Sequence, residues 1–135
     1  MRIVIDTNVI ASALFFGGSP YQLLRYIMEA RVDVVASKEI VDEYEEIVLR
    51  LKQKHPAIST RIPLQELLAR FEIIRVTSAI HISCDPDDDK FISCAIDGKC
   101  LYIVSGDRDL LSIGNYGDIE ILTVVDFLNR MKRPE

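Results

Sequence analysis

The run Ile3-Val4-Ile5 constrains the fold more than any other stretch of this chain. Three consecutive β-branched apolar residues leave neither face of a strand for water. Such a strand belongs inside a parallel sheet that is covered on both sides. The run ends on Asp6. A carboxylate directly after a buried strand stands at the carboxyl edge of the sheet, where open α/β folds place their ligands.

Comparable runs recur along the chain. Arg2 to Ile5 reads as a first strand, Val32 to Ala36 as a second and Ile73 to Val76 as a third, with Leu101 to Val104 and Ile119 to Leu122 as the fourth and fifth. Helical patterns fill the intervals. A helix is predicted from about Asn8 to Leu14, and Gly17-Gly18-Ser19-Pro20 breaks it. Ser19 then reads as an N-cap with Pro20 at the first helical position, and Leu23, Leu24, Ile27 and Met28 follow at core-facing spacing. Ser37 caps a long helix from Lys38 to about Lys54, with Ile40, Val41, Tyr44, Ile47, Val48 and Leu51 on one stripe. Pro56 helps to stop it. Pro63 opens a short helix carrying Leu64, Leu67, Leu68 and Phe71. Asp85 reads as the N-cap of a helix that starts at Pro86, is lined by Ile92, Ala95 and Ile96, and ends at Gly98. Thr123 caps a final helix through about Met131. This alternation predicts an α/β fold with a mostly parallel central sheet of about five strands, flanked by helices on both faces. A length of 135 residues suits one domain over the whole chain, and a hydrophobic fraction of 49% suffices for its core.

Several classes are excluded. No stretch approaches the ~18 apolar residues of a membrane span. Arg2 is followed by only three apolar residues before Asp6, which is too short for an export signal. The three cysteines, Cys84, Cys94 and Cys100, are odd in number and lack paired close spacing, so neither a disulfide framework nor a zinc site is expected. Cys94 and Cys100 read as buried thiols of a cytoplasmic protein. The net charge of −5 opposes non-specific nucleic-acid binding on average. Locally the balance reverses: Arg50, Lys52, Lys54 and Arg61 lie in a stretch without acids, and Arg130, Lys132 and Arg133 crowd the end.

Four acids fall where one sheet edge could gather them. Asp6 follows the first strand, and Asp107 is the third residue after Val104. Asp88 lies in the first turn of the helix before the fourth strand, and Glu43 lies inside the long helix. Carboxylates at ~4 Å and an effective dielectric of ~20 repel by about 4 kcal/mol per pair. A fold tolerates that when cations or protons neutralise them, and all-oxygen donors suit Mg²⁺ or Mn²⁺ rather than zinc. Each acid has a plainer reading as well. Asp6 caps the following helix, and Asp85 and Asp87 complement a helix dipole. Glu43, within Asp42-Glu43-Tyr44-Glu45-Glu46, belongs to a solvated face, and Asp107 and Asp109 are turn residues. Spacing alone does not separate Asp88 from Asp89.

In order, the segments Ile-Val-Ile-Asp-Thr-Asn, Ser37 to Leu49 around Glu43, Asp-Pro-Asp-Asp-Asp-Lys-Phe-Ile and Ile-Val-Ser-Gly-Asp-Arg-Asp-Leu-Leu resemble the PIN-domain family of ribonucleases. The likeness runs from residue 2 to about residue 128 and is nearest to the branch of toxin components of toxin–antitoxin systems. The resemblance implies a metal-dependent endoribonuclease acting on single-stranded RNA with Mg²⁺ or Mn²⁺. It maps the family's acidic site onto Asp6, Glu43, Asp88 and Asp107, with Asp89 and Asp109 as flanking acids. Thr7, Asn8 and Ser105 would then orient the carboxylates; Ser105 stands where many members carry Thr. It further implies a homodimer and a small antitoxin whose tail enters the acidic groove. For the RNA backbone the candidates are Arg50, Lys52, Lys54 and Arg61, with Lys38 a weaker one. A phosphoacceptor receiver domain is disfavoured because the late strand ends in Ser-Gly-Asp rather than on a lysine. A phosphatase with an aspartate nucleophile is disfavoured because Asn8, not an acid, stands two residues after Asp6. A catalytically silent module that binds RNA or protein is the remaining rival.

Overall fold

The computed structural model describes residues 1–78 and 86–132. Its elements run β1 Arg2–Ile5, α1 Thr7–Phe15, α2 Ser19–Met28, β2 Asp33–Ser37, α3 Lys38–Lys54, α4 Leu64–Leu68 and β3 Glu72–Ile74. The second half adds α5 Pro86–Asp97, β4 Tyr102–Val104, α6 Arg108–Ile113, β5 Asn115–Tyr116, β6 Ile119–Leu122 and α7 Val124–Lys132. The expected N-cap Asp85 and the cysteine Cys84 lie outside the described residues, as does the side chain of Asp87.

Six strands form one sheet in the order β3-β2-β1-β4-β6-β5, parallel except for the β5–β6 pair. Ile3, Val4 and Ile5 are fully buried, as their β-branched run requires, and β1 pairs with β2 on one side and β4 on the other. The order reverses at β1: the chain first builds outward to β2 and β3, then crosses back to place β4 on the other side. Ligand crevices of open α/β sheets open at such a point, outside the carboxyl ends of the strands.

The alternation expected from sequence is present, with local differences. The strand count rises to six because β5 is added, a two-residue antiparallel partner of β6 too short to carry a pattern. The third strand is Glu72–Ile74 rather than Ile73 to Val76. Ser19 is not an N-cap but the first residue of α2; the cap is Gly18, whose φ of 77° turns the chain one residue earlier. Gly18 C=O accepts from Gln22 N–H at 3.1 Å, so Pro20 falls in the first turn, where its missing N–H costs nothing. The helix α6 also went unread, because six residues are too few for a period. Ser37 and Thr123 cap as expected, accepting from Ile40 N–H and Asp126 N–H at 3.2 Å each. No helix among the described residues is long and apolar enough to cross a membrane.

Candidate metal centre

Asp6 leaves β1 where its own N–H donates to Val104 C=O at 2.9 Å, so the ladder to β4 extends one residue beyond the strand. Its backbone is extended and its Oδ1 accepts from Asn8 N–H at a long 3.4 Å, which makes Asp6 the N-cap of α1. Oδ2 accepts a second bond, 2.6 Å from the Ser105 hydroxyl. Ser105 is fully buried, and its Oγ accepts from Asp107 N–H at 2.9 Å. One hydroxyl thus ties the end of β1 to the loop after β4. Asp107 in turn caps α6, its Oδ1 accepting from Asp109 N–H at 2.7 Å. The plain reading of Asp6 as a cap is correct, and Asp107, read as a turn residue, is instead the cap of α6; neither role competes with a site. Capping orients each carboxylate and leaves acceptor capacity on it.

Glu43 reaches the same place from α3. Its Oε2 accepts from the Thr7 hydroxyl, and its Oε1 pairs with Lys90 Nζ at 2.8 Å. A solvated face is therefore the wrong description of Glu43. The neighbouring Tyr44 is fully buried and donates its hydroxyl to Ile5 C=O, which seats α3 against β1. Burial pushes the Tyr44 phenol well above its ordinary value.

Asp88, in the first turn of α5, is buried. One carboxylate oxygen each from Asp88, Asp107 and Asp109 lie within 4.8 Å of one another. A pocket of about 180 Å³ is lined by Asp6, Thr7, Asn8, Glu43, Asp88 and Asp107, with Ile47 and Phe91 as its apolar wall. Asp89 is buried too but does not line this pocket. Burial raises the Asp6 carboxyl above its ordinary 3.8, the Ser105 hydroxyl and Asn8 amide pull it back, and the charges of Asp107 and Glu43 push it up again. Only 6% of Asp6 is exposed, so its negative charge is poorly hydrated and sits beside other acids. Among the described residues the lining offers carboxylate oxygens and no thiol or imidazole, which fits a hard divalent cation.

Sequence reasoning missed Lys90. A lone cation directly after Asp87-Asp88-Asp89 was the available signal, since an acidic site often holds a lysine that offsets part of its charge. The basic candidates lie elsewhere. Arg50 pairs with Glu46 at 2.8 Å, and Lys52 and Lys54 are exposed on the last turns of α3. Arg61 donates Nε to Phe16 C=O at 3.0 Å, and its guanidinium lies 4.5 Å over the Tyr21 ring. Lys38 pairs with Asp42 at 3.0 Å. Cys94 and Cys100 are free and buried as expected, and burial pushes their thiols to about 12 and about 11, so neither is a nucleophile near neutral pH.

Residues 2–109 match the sequence model of the PIN domain. The chain is 34% identical over 119 residues to an uncharacterized protein of Methanocaldococcus jannaschii, covering 84% of this chain and 75% of that one. A pelota homolog of Methanothrix thermoacetophila is 33% identical over 109 residues; the match takes in 79% of this chain but only 27% of that longer protein. In three dimensions the chain is similar to VapBC2 from Rickettsia felis, solved bound to a DNA fragment from their promoter. The TM-score is 0.59 at 18% identity, over 90% of this chain and 98% of that one.

Proposed function

The chain belongs to the PIN-domain family, and from that premise we propose that it is a metal-dependent endoribonuclease hydrolysing phosphodiester bonds of single-stranded RNA. One observation carries the reading: Asp6, Glu43, Asp88 and Asp107, spread over 102 positions of sequence, line a single pocket at the reversal point of the sheet. Uncompensated, that grouping costs stability, which a bound cation would return.

Asp6, Asp88 and Asp107 would hold Mg²⁺ or Mn²⁺ directly, with Glu43 completing the set and Asp109 acting through water. Asp88 takes this role in preference to Asp89 because it alone of the two lines the pocket. When bound, such an ion supplies Lewis acidity to the phosphodiester and lowers the pKa of an attacking water. The remaining work belongs to the protein. Ser105 fixes the direction of the Asp6 carboxylate and, through Asp107 N–H, the start of α6. Thr7 and Lys90 hold the two oxygens of Glu43, which keeps that side chain turned into the pocket. Phe91 and Ile47 form its apolar wall.

A role as the toxin of a pair, silenced by an antitoxin, is the finer part of the proposal; the fold shared with VapBC2 supports it. Dimerisation would accompany it.

Cleavage of single-stranded RNA in the presence of Mg²⁺ or Mn²⁺ tests the reading. The wild type should cut, EDTA should stop it, and Asp6→Asn or Asp107→Asn should lower the rate by about 10²-fold or more. Ser105→Ala, which removes a positioning hydroxyl and no proposed ligand, should cost about 10-fold to 100-fold. Cutting that persists in EDTA and in Asp6→Asn would sink the assignment. A protein that neither cuts nor gains melting temperature with Mn²⁺ is the binding module instead.

A further inference from the structure

A second pocket, of about 340 Å³, is linked to the carboxylate pocket by Lys90, which lines it and pairs with Glu43 at 2.8 Å. It lies between the start of α3, the end of β3 with the residues that follow it, and α5, and its polar lining includes Ser37, Lys38, Glu39, Arg75, Lys90 and Ser93. Three of these six are cations and one is an acid, in a chain whose net charge is −5. We propose that this pocket binds a phosphate of the nucleic-acid strand, next to the phosphodiester held at the carboxylates. The proposal rests on the nuclease reading for its ligand.

Three features of the pocket support an anion. First, Arg75 is exposed and makes no ion pair among the described residues, whereas Lys38 is paired with Asp42 and Lys90 with Glu43. A guanidinium fork is the side chain that best matches two phosphate oxygens. Second, Ser93 lines the pocket and carries a hydroxyl that can donate to an anion. Third, the 17-residue helix α3 begins at this pocket. Ser37 Oγ takes the N–H of Ile40, while the N–H groups of Lys38 and Glu39 have no acceptor within the helix. The positive end of the helix dipole adds to the cations.

The two pockets share elements, which fixes their relation. Along α5, Asp88 serves the carboxylate pocket and Ser93 the basic one; along α3, Glu43 serves the first and Lys38 the second. Lys90 lines the basic pocket and pairs with Glu43 of the acidic one. A strand crossing the carboxylates along these helices brings its neighbouring phosphate to Arg75. Glu39 is the one acid of the lining among the described residues.

Binding of a labelled single-stranded oligoribonucleotide, measured without divalent cation over a salt series, tests this. Arg75→Ala should weaken binding by about 3-fold to 10-fold and flatten the slope of log K against log salt by about 0.7, the loss of one phosphate contact. Arg75→Lys should restore the slope, and Lys132→Ala, exposed on α7 and lining neither pocket, should leave it unchanged. In cleavage assays Arg75→Ala should raise KM and leave kcat close to wild type. An unchanged slope in Arg75→Ala, with RNA still cut, overturns the phosphate site alone. A slope carried by Lys52 and Lys54 overturns it in favour of the other basic stretch. A wild type that neither binds nor cuts RNA overturns the site together with the nuclease reading.

Discussion

Asp97, the last residue of α5, gathers a fan of donors. Its Oδ2 accepts from Thr77 N–H at 2.6 Å and Ser78 N–H at 3.0 Å, and its Oδ1 accepts from the Ser78 hydroxyl. The Ser78 hydroxyl, then these amides, hold the carboxyl down at about 2, against an ordinary 3.8. A depressed carboxyl contributes stability that is complete above the unfolded value and is lost as pH falls through the folded one. Melting temperatures should therefore be lower for Asp97→Asn than for wild type at about pH 5, and the gap should close between 3.8 and about 2. A gap that stays constant across that range would place the effect in packing rather than in the charge. At this same scale the acids were legible in part. Asp6 could be identified as a cap or a site candidate and Asp107 as a turn residue or a site candidate; both are caps that also line the pocket, because a cap uses one face of a carboxylate. The partners of Glu43 were not legible: Thr7 lies 36 residues away and Lys90 lies 47 away, and nothing local links them.

The end of α5 shows what a sequence pattern can and cannot say about an element. Gly98 reads as the left-handed residue that closes the helix, but the residue with positive φ is Lys99, at 54°. Cys100 N–H returns to Ala95 C=O at 2.9 Å and Lys99 N–H to Ile96 C=O at 3.1 Å, a Schellman closure with Lys99 at the left-handed position. Gly98 is required for a different reason. A Cβ there would stand 2.8 Å from Val35 Cγ1 and 2.9 Å from Cys94 C=O, so the glycine lets α5 press against β2. Gly98→Ala should cost about 1–3 kcal/mol by overpacking. Lys99→Gly should gain about 0.5–1 kcal/mol by relieving the left-handed strain, less the entropy that glycine adds to the unfolded chain. Urea midpoints of the two variants check both signs; a destabilised Lys99→Gly would show that the lysine side chain contributes more than its backbone strain removes. The closure of α2 repeats the pattern, with Ala30 at φ 59°, Arg31 N–H returning to Tyr26 C=O and Ala30 N–H to Ile27 C=O. In both cases local hydrogen bonds close the helix, and a residue other than glycine takes the left-handed conformation.

Across the whole molecule the sheet is what turns scattered acids into a site. Arg2 reinforces its frame at the opposite edge, donating Nε to Gly98 C=O at 2.7 Å and pairing both terminal nitrogens with Glu72 of β3 at 3.0 and 2.6 Å. An ion that binds only the folded chain stabilises it by mass action. Mn²⁺ at about 100 times its Kd should add about 2.7 kcal/mol, which is several degrees of melting temperature in a domain of this size. Thermal scans with and without Mn²⁺ check this, and Asp6→Asn should abolish most of the rise. An equal rise in both proteins would locate the ion away from the pocket. By itself the sequence determined the order of the longer strands and helices, though not β5 or α6, together with the burial of β1 and the acids offered at the sheet edge. Those follow from period, β-branching and capping, which act over a few residues. Only the tertiary structure decided that Asp88 rather than Asp89 lines the pocket, that Lys90 holds Glu43, and that Arg75 and Ser93 share a second pocket beside it. Adjacent residues on a helix point about 100° apart, so which of them faces a site depends on how the helix docks on the sheet, and that is set by contacts far apart in sequence.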